Sequence, residues 1–263
     1  MIRIIKAEWR KLRRPTLLLG TLGAVVFFSG LVSSLLFLLL DSPQGNGDRG
    51  VVITREMLSL PTGATQAFSS VGGLLGIIAL CVFAAQTAQE YTYGTLRNIL
   101  VRQPGRVRVL AGKLVAMKLF AILMVVISAV VSIGISFALA GGKDVSTELW
   151  FNGDGQAAIG RTFINVLISV ICFGVVGMVL GLLLRSPISA ISIGVLWLLI
   201  IENIVGAVKS STLNWLPGSQ FSTIAAGGSE SISYTHALSL SAAYVFVGSL
   251  IAVVLFTRRD VAN

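Results

Sequence analysis

The chain has 263 residues, of which 55% are hydrophobic and only 12% charged, with a mean hydropathy of +0.89 and a formal net charge of +9. So few charges cannot cover the surface of a water-soluble domain of this size, which excludes an ordinary soluble fold. The two cysteines, Cys81 and Cys172, lie inside apolar runs, which excludes a disulfide framework or a C-x-x-C metal pair and leaves them as small buried hydrophobes.

Residues 2–14, IRIIKAEWRKLRR, open the chain. Ile2, Ile5, Trp9 and Leu12 recur at helical spacing, while Arg3, Lys6, Arg10, Arg13 and Arg14 lie round the other face. Residues 1–15 therefore read as an amphipathic helix in the membrane interface, with Trp9 at headgroup depth and Arg10, Arg13 and Arg14 as anchors. Pro15 marks a break. Residues 16–263 then form a membrane domain, whose spans follow from the charge-free intervals because ~20 apolar residues cross the hydrocarbon. They fall at about 16–40, 69–89, 117–140, 162–184, 187–208 and 237–257. The first apolar run is too long for a signal-peptide core and no small-x-small cleavage site follows it, so cleavage is not expected.

Small residues cluster in two spans, as Gly72-x-x-x-Gly76 and as Gly174, Gly177 and Gly181. Such spacing lets helices approach closely, within the chain or between protomers. Gln86, Gln89 and Lys118 stand at the inner ends of spans two and three, where interfacial water accounts for them. Glu202 and Asn203 lie in span five, nearer the outer face. An intramembrane acid is a functional candidate, so Glu202 could bind substrate, pair with another helix, or cap a broken helix end; snorkelling to the interface is the alternative. The segment from Lys209 to His236 carries Trp215, Leu216, Phe221 and Ile224, too apolar for a solvated loop and too short to span. A short re-entrant or interface-lying helix is expected there.

Six spans put both termini on one side. With the N-terminus inside, fifteen Lys/Arg fall on that side and five on the other, whose loops hold seven of the eleven acids. The net charge is thus a topology signal that places the termini in the cytoplasm, and nucleic-acid binding is not needed to explain it. The fold class expected is all-α: a polytopic protein of the cell membrane with six transmembrane helices.

Enzymatic chemistry is scarce. The single histidine, His236, supports neither a metal pair nor a Ser-His-Asp set. The nearest approach to a phosphate-binding loop, Gly112-Lys113, has Val107 in place of the first Gly and Leu114 in place of the hydroxyl. No metal or cofactor is expected on this chain, and it is not read as an enzyme.

Between spans two and three lies Glu90 to Lys113, EYTYGTLRNILVRQPGRVRVLAGK, with five Lys/Arg and one acid in 24 residues. A solvated positive-inside loop explains its arginines but not its order. Glu90-Tyr91-Thr92-Tyr93-Gly94-Thr95-Leu96-Arg97, then Leu100, Pro104, Arg106 and Gly112-Lys113, resembles the signature of ABC-2 type transporter permeases, the membrane subunits of bacterial ATP-binding-cassette exporters. Gly105 and Val107 depart from residues often found around that arginine. The resemblance implies a coupling helix docked on a separate ATPase, with Gly94 turning the chain out of span two and Thr95 capping the helix. Leu96, Ile99 and Leu100 would form an apolar stripe, Arg97 and Arg102 would be available to acids of the partner, Pro104 and Arg106 would complete the coupling segment, and Glu90 would pair with a partner base or Arg97. It further implies two ATPase copies carrying ATP and Mg, a second permease protomer (the same chain or a sister), location in the bacterial inner membrane, and export through a path between protomers. A membrane scaffold recruiting a soluble partner, or an ATP-independent channel or carrier, are the alternatives. One buried acid and no internal repeat argue against a carrier.

Overall fold

A computed structural model describes residues 1–40, 54–102 and 105–258, and among these the secondary structure is helical throughout. A first helix, α1 (Ile2–Leu12), ends one turn before Pro15, whose fixed φ starts α2 (Pro15–Leu38) at its first turn. The short α3 (Arg55–Ser59) precedes α4 (Gly63–Thr92). Then come α5 (Thr95–Arg102), α6 (Arg106–Ala140) and α7 (Gly153–Leu184). α8 (Pro187–Leu196) runs through a π-helical turn (Trp197–Ile201) into α9 (Glu202–Val208), followed by α10 (Pro217–Ala226) and α11 (Tyr234–Arg258). Six helices are long and apolar enough to cross a membrane: α2, α4, α6, α7, the α8–α9 rod and α11. The protein is a multi-pass membrane protein.

The expected spans are all present, but several helices are longer than their apolar intervals. α4 begins at Gly63 rather than near Ser69, α6 at Arg106 rather than 117, and α7 at Gly153 rather than 162. A charge-free interval measures the hydrocarbon, whereas a helix runs on until a cap ends it. Asn152 provides one such cap, its side chain accepting from Gly155 N at 2.8 Å.

The core is the α4–α7 pair. The apolar windows of both are 61% buried, against 17% for α8–α9 and 11% for α11, which leave most of their apolar surface outward. The glycines explain the pairing. A Cβ on Gly177 would lie 2.2 Å from the Leu80 carbonyl oxygen, one on Gly181 2.8 Å from that of Ala84, and one on Gly76 2.0 Å from the Phe173 ring. Only hydrogen fits where the two backbones touch, so these glycines are spent within the chain, on packing that replaces the missing hydrophobic drive between helices in lipid. α2 lies against α6, where Ser29 and Ser128 share a hydrogen bond of 2.7 Å. α10 tucks Phe221, Ile224 and Ala225 against α7, α4 and α11, a short buried helix in the segment where a re-entrant or interface-lying one was expected.

Two ends of the bundle are thereby defined. One gathers α1, α5, the start of α6 and the ends of α4, α7 and α11. The far end gathers α3, the turn containing Trp150, whose indole donates to the Leu58 carbonyl at 2.8 Å, and α10.

Candidate functional site

At the α1 end, four charges from three helices form one cluster. Lys113 of α6 donates to Glu8 Oε2 at 2.8 Å and to Glu90 Oε1 at 2.7 Å, with a longer contact of 3.4 Å to the Gln86 carbonyl. Lys11 of α1 donates to Glu8 Oε1 at 2.6 Å and to Glu90 Oε1 at 2.5 Å. Glu8, Glu90 and Lys113 are 5%, 5% and 2% exposed, so two carboxylates and one ammonium are out of water, and the half-buried Lys11 brings the cluster to no net charge. Burial pushes the Glu8 carboxyl up, but the ammoniums of Lys113 and Lys11 outweigh it and hold the group below the ordinary carboxylate value. Burial likewise pushes Lys11 down, and Glu90 and Glu8 reverse that, leaving it above the ordinary lysine value.

This cluster corrects three expectations. Glu90 pairs within the chain, with Lys11 and Lys113, rather than with Arg97. The buried stripe of α1 is Ile4, Glu8 and Leu12, with Ile5 and Trp9 at its edge, while Ile2 stays 70% exposed. α1 packs on α6: a Cβ on Gly112 would lie 2.7 Å from the Ile4 side chain, and Trp9 meets the Phe120 ring edge-on with centroids 6.4 Å apart. Trp9 therefore serves protein packing at least as much as a headgroup. Drawing Glu8 inward to two lysines rotates the helix away from its purely apolar stripe. Arg10, Arg13 and Arg14 remain exposed on the other side, as anchors would.

The segment expected to couple is partly absorbed by its neighbours. Residues 90–92 complete α4 and 106–113 open α6, leaving α5 as a short separate helix. Gly94 has φ +64°, a left-handed turn natural to glycine, and it sits where a cap would. Thr95 is the first helical residue instead of the cap. Of the stripe, Leu96 and Leu100 turn toward the protein's own core, with Leu96 2% exposed and Leu100 packed on the same cluster, while Ile99 lines the cleft beside α1 and α4. Thr95, Arg97, Asn98 and Val101 form the exposed face. Arg106 is engaged within the chain as well, donating to the carbonyls of Phe256 at 3.1 Å and Thr257 at 3.2 Å at the end of α11, a favourable place for a cation. Pro104 and the side chain of Arg102 lie outside the described residues. A cleft of about 290 Å³ between α1, α4 and α5 is bounded by Lys11, Arg14, Gln89, Glu90, Tyr93 and Asn98.

At the far end, Glu202 is 4% exposed and caps α10 from a distance in sequence: Gly218 N and Ser219 N each donate to its carboxylate at 3.0 Å. The π-helical turn before it swings Trp197 onto the same face, so that its indole N–H donates to Glu202 Oε1 at 2.9 Å. The capping alternative is thus the one realised, and snorkelling is excluded. Asn203 points elsewhere, bonding the carbonyl of Leu199 at 2.9 Å.

Residues 52–262 match the family described as "Protein of unknown function (DUF2705)". The chain belongs to this family. Within the matched region of this DUF2705 member lie Glu90, Lys113 and Glu202, whereas Glu8 and Lys11 precede it. The chain is also similar to the uncharacterized protein YhcI of Bacillus subtilis (strain 168), at 21% identity over 206 residues, which is 72% of this chain and 66% of that relative.

Sequence reasoning missed Glu8, Lys11 and Lys113 as one unit. The available signal was composition: Glu8 is a lone acid in a strongly basic helix, in step with Ile4 and Leu12 at a spacing of four.

Proposed function

We propose that this chain is the membrane-spanning permease subunit of an ATP-driven exporter, working as a pair of protomers with two ATPase subunits that hold the ATP and Mg. The observation that carries the reading is the lever at the α1 end. α5 offers an exposed face of Thr95, Arg97, Asn98 and Val101 and is seated by Leu96 on the core. One turn earlier, Glu90 is tied to α1 and α6. A push on α5 therefore reaches spans two and three together, through a buried contact and a buried ion cluster. Such a rigid link can pass a partner's closure to the spans and shift them between two arrangements. The resemblance of Glu90–Arg97 to the exporter signature supplies the identity of the partner and the direction of transport. The excess of Lys/Arg at this end supports a cytoplasmic location for it and for both termini, with the protein in the plasma membrane.

The test is co-purification. A tagged chain extracted in mild detergent brings down an ATPase subunit, and Arg97→Glu with Val101→Asp on the exposed face abolishes this at unchanged yield. A chain that brings down no ATPase sinks the reading and favours a scaffold or an ATP-independent carrier.

A further inference from the structure

Two cavities share a wall at the far end. One, of about 360 Å³, is lined by Ser70, Ser219, Ser222, Asn203 and the Glu202 carboxylate. The other, of about 240 Å³, is apolar, walled by Leu80, Val176, Ile193, Trp197 and Phe221. Phe173 and Leu198 line both. Trp197 ties them together, since its ring borders the apolar cavity while its indole N–H bonds Glu202.

Glu202 is served by neutral donors only, two of them the first amides of α10. Its three donors, Trp197 Nε1, Gly218 N and Ser219 N, are all neutral, and among the described residues no Lys, Arg or His forms an ion pair with it. A buried carboxylate is costly without a compensating charge, and about four acceptor positions are available on its two oxygens, so one remains beyond these three. The α1-end cluster shows the contrast, where each buried carboxylate meets two ammoniums. A cation that can donate a hydrogen bond would complement such a carboxylate. The adjoining apolar cavity specifies the rest: a compact hydrophobic body within a few bonds of that cation.

We infer that the paired cavities bind an organic amine, its protonated nitrogen at Glu202 and its apolar body in the cavity walled by Leu80, Val176, Ile193 and Trp197, against the packed rings of Phe173 and Phe221. As a cargo class this rests on the exporter reading; as a binding site it does not. The probe is 4-phenylbutylamine, compared with the neutral 4-phenylbutanol and the anionic 4-phenylbutanoate, titrated calorimetrically against the full chain in phosphatidylcholine nanodiscs with empty nanodiscs subtracted. The amine binds at least tenfold tighter than the alcohol, the carboxylate binds more weakly than either, and Glu202→Gln removes the amine's preference. Ser70→Phe, which fills the polar cavity without touching the charge, weakens the amine at least tenfold. Equal binding of amine and alcohol overturns the inference, as does a preference that survives Glu202→Gln. Should Glu202→Gln not fold, the three-ligand series and Ser70→Phe decide alone. No ATPase is present in this titration, so failure here leaves the co-purification result standing, and a chain that recruits no ATPase can still select the amine.

Discussion

Lys113→Met removes one ammonium from the four-charge cluster and nothing else of comparable size. Lys113 makes contacts of 2.8 and 2.7 Å with Glu8 and Glu90, each worth about 6 kcal/mol of gross attraction at an effective dielectric of ~20. Desolvation of the partners offsets most of that, and breaking one side of a buried pair costs roughly 3–5 kcal/mol net. Lys11 remains in contact with both carboxylates, at 2.6 and 2.5 Å, which places the expected loss near the lower end, about 3 kcal/mol. Glu8→Gln added to Lys113→Met restores neutrality, so the double variant is expected to be more stable than the sum of the single losses predicts by about 1–3 kcal/mol. The assay is an SDS-unfolding titration in mixed micelles of the wild type, both single variants and the double. Strict additivity would refute the reasoning, because it would mean that Lys113 and Glu8 do not sense each other.

Four further outcomes are expected. Gly177→Leu drives a side chain into the Leu80 backbone, 2.2 Å from its carbonyl oxygen even at Cβ, and is expected to cost more than about 3 kcal/mol in that titration or to prevent folding. Gly160→Ala on the same helix, with open space around its Cβ, should be neutral or stabilising by up to about 1 kcal/mol. Arg106→Ala removes two hydrogen bonds to the end of α11 and is expected to cost about 1–3 kcal/mol locally, read as faster hydrogen exchange of amides 253–258 with α4 unchanged. Glu8 is held below its ordinary value, so its contribution is full above that value and is lost as pH falls through the lowered one. Lys11 is held above its ordinary value, so its contribution is full below that value and is lost as pH rises through the raised one. Exchange protection of α1 should therefore be level between the ordinary carboxylate and lysine values and fall on both sides; protection that stays level far below the ordinary carboxylate value would count against the cluster as the fastening of α1.

Class, span number and charge asymmetry were legible in the sequence because each is a sum over local composition. Apolar intervals of 23 or more residues and the clustering of Lys/Arg need no knowledge of which helix meets which. The apolar segment that holds α10 was legible for the same reason, as a stretch too short to span, whereas the short helix after Gly94 was expected only through the family resemblance. Partnership was not legible. Glycine spacing allows close approach to any helix, and only the packed bundle assigned Gly177 and Gly181 to α4. The stripe of α1 could be drawn through Ile2 until docking on α6 made Glu8 the residue to bury. Glu90, Arg106 and Glu202 each took a partner 16 or more positions away, in Lys113 and Lys11, in the end of α11, and in the first amides of α10. A lone charge near a membrane states what it requires, a counter-charge or donors. Which group supplies them depends on distances of a few ångströms between segments remote in sequence, and those exist only once the helices have packed.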